Sequence, residues 1–106
     1  LHALGGNGGE CILRELIDLF RNDIPIALAE LRDALQSDDT LMAAGRISHR
    51  MKGSSAILGA VPLSESLHTM EELCHRGERA ATLQLLPNIE AQIGEVIQAL
   101  RIEQQR

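Results

Sequence analysis

One histidine of the sequence stands in surroundings that suit chemistry. His49 has a glycine four residues away on each side, Gly45 and Gly53, and a cation three residues away on each side, Arg46 and Lys52. In a helix these five residues share one face. Glycine inside a helix costs about 0.5 to 1 kcal/mol relative to alanine, and its physical use is to let another surface come close. The pattern therefore predicts an exposed imidazole in a cleared space beside positive charge.

The chemistry that suits this arrangement is phosphoryl transfer. A neutral imidazole nitrogen is a good nucleophile near neutral pH, and the adjacent ammonium of Lys52 would stabilise the oxygens of a phosphoryl group. The sequence has no G-x-x-x-x-G-K-[ST] loop for ATP, and the glycines of residues 5–9 lack its lysine and a preceding strand. The phosphoryl group would have to come from, and go to, another protein domain.

Length and composition limit the fold and the classes of function. The 106 residues suffice for one domain, and 44% hydrophobic residues are typical of a globular chain. Phe20 is the one aromatic residue, which argues against an all-β fold and against a platform for stacking bases. The formal charge of −5 gives no electrostatic attraction to nucleic acid or to an anionic membrane.

The cellular setting is inferred from what the sequence lacks. No apolar run approaches the ~18 to 20 residues of a membrane span, and no export signal is visible. Cys11 and Cys74 are too few for a disulfide scaffold, which fits a reducing compartment. We therefore expect a cytoplasmic domain. The first residue, Leu1, and the glycines after it favour a piece of a larger protein, with residues 1–7 as a linker remnant or loop and residues 8–106 as the folded domain.

Apolar residues at helical spacing predict five helices. The first starts near Gly8 behind a capping box of Asn7 and Glu10, and the second begins at Asn22 and Asp23 with Pro25 in its first turn and ends near Ser37. The remaining three run from Asp38 or Asp39 to about Leu58, from about Pro62 to Gly77, and from about Ala80 onward, with Pro87 as a kink or the true start of the last. The predicted fold is all-α, an antiparallel up-and-down four-helix bundle with an additional N-terminal capping helix.

Residues 49–59, HRMKGSSAILG, resemble the signature of the histidine-containing phosphotransfer (HPt) family of bacterial phosphorelays. That signature is a histidine, two residues, Lys-Gly, one or two small residues, then an apolar residue and a glycine. The resemblance extends over most of the chain, to Gly5-Gly6-Asn7, Phe20, Leu63 and the helix that ends at Arg76-Gly77. Gly45 is not part of the signature, so its role depends on spacing alone.

The resemblance implies a function and a set of site residues. His49 would carry a phosphoryl group exchanged with the aspartate of a response-regulator receiver domain. Lys52 would stabilise that group, and Gly53, together with Gly45 on the same face, would give the partner access. In some members a polar residue on the following helix hydrogen-bonds the imidazole and fixes its tautomer, and the matching position here is Glu71. The family fold, a four-helix bundle with an additional N-terminal helix, agrees with the count of helices.

Other residues have a plain structural explanation beside a functional one. Arg46 serves either solubility or the phosphoryl group, and Met42 and Ala56, at the ends of the histidine face, are either isolated exposed residues or the apolar part of a docking patch for a receiver helix. His68, Cys74 and His75 on the fourth predicted helix suggest a metal site at first. We expect none, because Cys74 belongs to the apolar stripe and neither histidine has an i, i+4 partner of ligand type.

Three classes of function remain open at this point. The leading one is a phosphocarrier, a monomer without ATP-binding or kinase activity, whose partners are receiver domains and whose chain holds no cofactor, since Mg²⁺ would belong to the receiver. The second is the dimerisation domain of a histidine kinase, although Arg50-Met51-Lys52-Gly53 stands where that family has an acidic residue and a later proline. The third is a helical interaction module without chemistry. A place at the C-terminal end of a hybrid sensor histidine kinase, itself anchored in the inner membrane, is a further expectation.

Overall fold

The protein folds into four helices and, within the described part of the chain, no strands. The computed structural model describes the backbone of residues 6–37 and 40–104, with the side chains of residues 12–37 and 40–102. The helices are α1 (Gly6–Ser37), α2 (Met42–Ile57), α3 (Val61–His75) and α4 (Arg79–Gln104).

The four helices form a closed ring around one core. Each helix packs against its neighbours in the sequence, and α1 also packs against α4. Short connections between consecutive helices make the neighbours antiparallel. Arg79 strengthens the α1–α4 contact by donating a hydrogen bond to the carbonyl oxygen of Leu35. The predicted all-α four-helix bundle is confirmed. Its core contains mainly leucine, isoleucine and methionine, among them Leu31, Leu35, Met51, Leu63, Leu67, Met70 and Ile89.

The break predicted at Asn22 and Asp23 is wrong, because α1 continues through Pro25 as one helix of 32 residues. Proline inside a helix removes one hydrogen bond and crowds the preceding turn, at a cost of about 3 kcal/mol. An unbroken stripe of buried side chains at helical spacing outweighs that cost: Ile17, Phe20, Ile24, Leu28, Leu31 and Leu35. The additional N-terminal helix is therefore the first half of α1. In the same way α4 runs across Pro87, which is not its start.

The ends of α2 and α3 are fixed by backbone geometry. The turns at Gly59 and Gly77 confirm the predicted ends, with φ of 76° and 70°, values that favour glycine. At the first turn the N–H of Gly59 donates to the carbonyl of Ala56 and that of Ala60 to Ser55, at 3.0 and 2.9 Å. These two bonds are a Schellman motif.

The helix α2 begins at Met42, a few residues after the start predicted behind Asp38 or Asp39. The residue before α2 is Leu41, in a left-handed conformation with φ 61°, and the cap predicted at Asp38 or Asp39 lies outside the described residues. Near this start the hydroxyl oxygen of Thr40 accepts a hydrogen bond from the N–H of Met42 at 3.3 Å.

The predicted linker, residues 1–7, lies mostly outside the described residues, although Gly6 and Asn7 already belong to α1. The side chains of the predicted capping box, Asn7 and Glu10, are outside them as well. None of the helices, as far as the structure describes them, combines the length and the apolar content needed to cross a lipid bilayer.

The proline in α1 gives a test of the continuous helix. Replacement of exposed Pro25 by alanine restores a backbone N–H and relieves crowding, so we expect Pro25→Ala to raise the free energy of unfolding by about 1 to 2 kcal/mol. Urea denaturation followed by circular dichroism measures this difference. Gln36→Ala, at an exposed position of the same helix, is the control and should change stability by less than about 0.5 kcal/mol. A loss of stability in Pro25→Ala would mean that the helix breaks at this proline.

Candidate functional site

His49 lies in the middle of α2 and points away from the core. Ile47, Ser48 and Met51 are buried, whereas the side chain of His49 is 66% exposed. Its Nδ1 atom lies 2.9 Å from Oε2 of Glu71 on α3. In a neutral imidazole, the ring nitrogen that binds a carboxylate carries the proton. Nε2 therefore holds the lone pair, and it is the ring nitrogen left available for a nucleophilic reaction.

Lys52 shares the same carboxylate. Its Nζ atom lies 2.8 Å from Oε1 of Glu71, so one oxygen of Glu71 binds Lys52 and the other binds His49. The side chains of Lys52 and Glu71 are 25% and 17% exposed, much less than that of His49. Partial burial limits screening by solvent, so the lysine–glutamate pair is stronger than an ion pair at the open surface. Glu71 thus fixes an imidazole and an ammonium side by side.

The surroundings of Glu71 keep its carboxylate charged. The hydrogen bond from Lys52 is the largest influence and lowers the pKa of Glu71 from its ordinary value of 4.5, and the hydrogen bond from His49 lowers it further. Partial burial acts in the opposite direction and raises the pKa, but the net direction is downward. At neutral pH the carboxylate can therefore both hold the Nδ1 proton of His49 and balance the charge of Lys52.

The two glycines of the histidine face have different surroundings. A Cβ atom added at Gly53 would meet nothing within 4 Å, so the bare surface beside Lys52 is open to solvent. A Cβ atom at Gly45 would lie 3.4 Å from Cβ of Cys74 on α3. Gly45 thus faces α3 at about van der Waals distance, whereas Gly53 faces open space. Gly45 also lines the open depression in front of His49.

The remaining predicted site residues lie on the same side of α2. Arg46 is exposed and lines the depression together with Met42, His49 and Glu71. Met42 is 63% exposed, and Ala56 is exposed near the other end of the helix. The structure thus brings His49, Lys52 and Glu71 into contact, whereas Arg46, Met42 and Ala56 share their surface. The roles of these residues remain predictions.

The interpretation of the histidines on α3 needs one correction. The statement that neither His68 nor His75 has an i, i+4 partner of ligand type is wrong, because Glu72 lies four residues after His68 and Glu71 four residues before His75. Nε2 of His68 lies 2.7 Å from Oε1 of Glu72. Cys74 is buried, as predicted, and His75 is exposed. Among the described residues, no group of three or more histidine, cysteine, aspartate or glutamate side chains is placed to hold a metal ion.

Sequence reasoning missed two features near the site. His68 on α3 lies beside Lys52 on α2, and its Nδ1 atom is 3.4 Å from Nζ of the lysine. The spacing of residues within one helix cannot predict such a contact between two helices. A second depression, between α1 and α2, is lined by exposed Leu19, Ile26 and Ile57, which fall outside the stripes that predicted the core. The sequence indicated this depression only through the number of apolar residues on α1 and α2, which exceeds what the core stripes use.

The fold and the site together define a class of protein: a helical bundle that presents an exposed, hydrogen-bonded histidine on the middle of one helix. The family model of the Hpt domain matches residues 15–102, which is most of the chain. The chain belongs to the Hpt domain family. Members of this family are phosphocarriers without kinase activity of their own, and they interact with response-regulator receiver domains in two-component signalling.

No curated protein matches the chain significantly, and neither does any solved structure.

The lowered pKa of Glu71 predicts a pH-dependent contribution to stability. A carboxyl group with a lower pKa in the folded state stabilises the fold above its unfolded pKa, and this contribution is lost as the pH falls through the folded pKa. We expect Glu71→Gln to be less stable than the wild type at neutral pH and the difference to shrink below pH 4.5. Urea denaturation at a series of pH values measures it. Glu65→Gln, an exposed position on the same helix, is the control. A difference for Glu71→Gln that stays constant down to acid pH would contradict the charge-based explanation.

Proposed function

We propose that this domain is a phosphorelay intermediate: His49 accepts a phosphoryl group from the aspartate of one receiver domain and donates it to another. The observation that carries the proposal is the contact of Glu71 with His49 Nδ1, because it leaves Nε2 unprotonated on a side chain that is 66% exposed. Lys52, bound to the other oxygen of the same carboxylate, supplies positive charge beside it.

The transfer step balances with the groups present. The lone pair of Nε2 attacks the phosphorus of the aspartyl phosphate, an N–P bond forms, and the P–O bond breaks with its electrons leaving on the receiver's carboxylate. The imidazole of His49 then carries the phosphoryl group on Nε2 and the proton on Nδ1, and the ring is therefore positively charged. Glu71 stabilises that charge through the 2.9 Å hydrogen bond, and the ammonium of Lys52 faces the phosphoryl oxygens. The reverse step returns the phosphoryl group.

The surface around His49 supports docking of a receiver domain. Gly53 leaves the backbone of α2 bare, which lets the receiver's aspartate approach in line. Met42 and Ala56 would supply apolar contacts at the two ends of this face, and Arg46 would meet the acidic pocket of the receiver. Mg²⁺ would be held in that acidic pocket, and this chain would need no cofactor.

The alternative functions have less support. A histidine-kinase dimerisation domain would complete its bundle with helices from a second copy, whereas the four helices here enclose a core within one chain. A monomeric mass in solution would agree with the phosphocarrier proposal. The cytoplasmic location of the domain stays a prediction from the sequence, and so does its place in a hybrid sensor histidine kinase.

Replacement of the histidine tests the proposal directly. We expect phosphorus NMR to show an acid-labile phosphoramidate signal after incubation with receiver domains phosphorylated by acetyl phosphate, and no such signal for His49→Gln. The control is Gln98→Ala, which changes an exposed residue of α4, a helix that in its described part does not contact α2, and should keep the signal. Circular dichroism checks that both variants are folded. A persistent signal in His49→Gln, or none from the wild type with several receivers, would contradict the proposal.

Gly53 gives a separate test of partner access. A leucine side chain at this position has room in the free domain but would obstruct a docked receiver. We expect Gly53→Leu to slow transfer from a receiver by at least about tenfold, while phosphorylation by the small donor phosphoramidate changes by less than about twofold. Gly94→Leu is the matched control, since Gly94 is exposed on α4 and also has open space around it. Equal slowing with both donors would show that the leucine disturbs the chemistry and not the access.

A further inference from the structure

The side chain of Lys52 has a second contact besides Glu71. Its Nζ atom lies 3.4 Å from Nδ1 of His68, which is one turn before Glu72 on α3. The other ring nitrogen of His68, Nε2, lies 2.7 Å from Oε1 of Glu72. Lys52 is thus placed between two acceptors on α3, the carboxylate of Glu71 and the ring of His68.

These contacts define the tautomer of His68. An ammonium group has three N–H donors and no acceptor, so a ring nitrogen that binds it must hold a lone pair. Nδ1 of neutral His68 is therefore unprotonated, and Nε2 carries the proton that is donated to Glu72. His49 has the opposite arrangement, with the proton on Nδ1. The two histidines are held in opposite tautomers on either side of the Lys52–Glu71 pair.

We propose that His68 is a positioning residue for Lys52 in phosphoryl transfer. Glu72 orients the imidazole of His68, the imidazole accepts a hydrogen bond from the ammonium of Lys52, and the ammonium is held with its remaining N–H free for a phosphoryl group on His49. This proposal rests on the proposed function of the domain. It adds a residue that does not contact His49 and acts on the reaction through Lys52.

The same arrangement makes the position of Lys52 depend on pH. A second proton on His68 converts the acceptor at Nδ1 into a donor and places a positive charge beside the ammonium. The charged groups that face His68 are Lys52 on α2 and Glu72 on α3, with Arg76 behind Glu72 at 3.6 Å. Among the described residues, His68 makes no hydrogen bond or ion pair with α4. Protonation of His68 is therefore expected to release Lys52 from this contact and to slow phosphorylation of His49.

A purely structural role for His68 makes a different prediction. The side chain is 56% exposed, and an i, i+4 pair with Glu72 would add only a few tenths of a kcal/mol to helix stability. Such a pair would also keep the ring proton on Nε2, but it would affect stability alone and leave the rate of phosphorylation unchanged. The rate of phosphorylation and its pH profile therefore separate the two roles.

The first measurement uses the unmodified domain without any phosphoryl donor. Two-dimensional ¹⁵N NMR of the imidazole rings at about pH 8, where histidine is normally neutral, reports which ring nitrogen is protonated. We expect the proton on Nε2 in His68 and on Nδ1 in His49. A proton on Nδ1 of His68 would overturn the proposal whether or not the domain carries phosphate.

The second measurement is the rate of phosphorylation by phosphoramidate, followed by phosphorus NMR from about pH 6 to pH 8. We expect His68→Ala to be slower than the wild type by about three- to tenfold at the upper end of this range, and the difference to shrink at the lower end. His68→Asn places an amide oxygen near the position of Nδ1, so it should restore the rate and remove the pH dependence that His68 causes. Thr69→Ala, an exposed neighbour on α3, is the control.

A double-mutant cycle shows whether His68 acts through Lys52. We expect His68→Ala to have no further effect on the rate once Lys52 is replaced by alanine. Additive effects of the two substitutions, or a wild-type rate in His68→Ala throughout the pH range, would overturn the role of His68 while leaving the proposed function intact. If the wild type takes up phosphate from phosphoramidate but never from a receiver, the proposed function of the domain fails. The phosphoramidate rates of the variants still decide whether His68 positions Lys52.

Discussion

The contact of Glu71 with both His49 and Lys52 depends on the register between α2 and α3, and a turn of three residues sets that register. Gly59, with φ 76°, ends α2 in a Schellman motif and lets α3 begin at Val61. Two antiparallel helices joined so tightly pair residues at similar distances from the turn. The carboxylate on α3 is therefore placed opposite the middle of α2, where the imidazole and the ammonium stand.

The hydrophobic core holds this register and turns the histidine outward. Ala44, Ile47, Met51 and Ser55 are buried along one side of α2, so His49, at the opposite rotation, is exposed. Within an acidic chain of net charge −5, the site combines one carboxylate of lowered pKa with a lysine and a histidine. This local balance of charge keeps the Nδ1 proton of His49 hydrogen-bonded to Glu71 and leaves Nε2 of the ring free.

Much of the fold follows from the sequence because its causes are local. The spacing of apolar residues predicted helices at the positions of α2, α3 and α4, and the glycines at 59 and 77 predicted where two of them end. The failure at Pro25 has a physical reason. Asparagine, aspartate and proline favour a helix start, but burial of a continuous apolar stripe on both sides of them outweighs that preference. No inspection of the segment alone gives the size of the buried surface.

For the site, the sequence by itself determined the group formed by His49, Lys52 and Gly53, because these residues lie on one helix and the helical period fixes which side chains share a face. Only the tertiary structure decided which oxygen of Glu71 binds each of them and that His68 lies beside Lys52. It also separated two glycines with the same spacing from His49: Gly45 packs near Cys74, whereas Gly53 is open. The reason is that contacts between helices depend on the rotation and register of both helices, and those are set by the packing of the whole core.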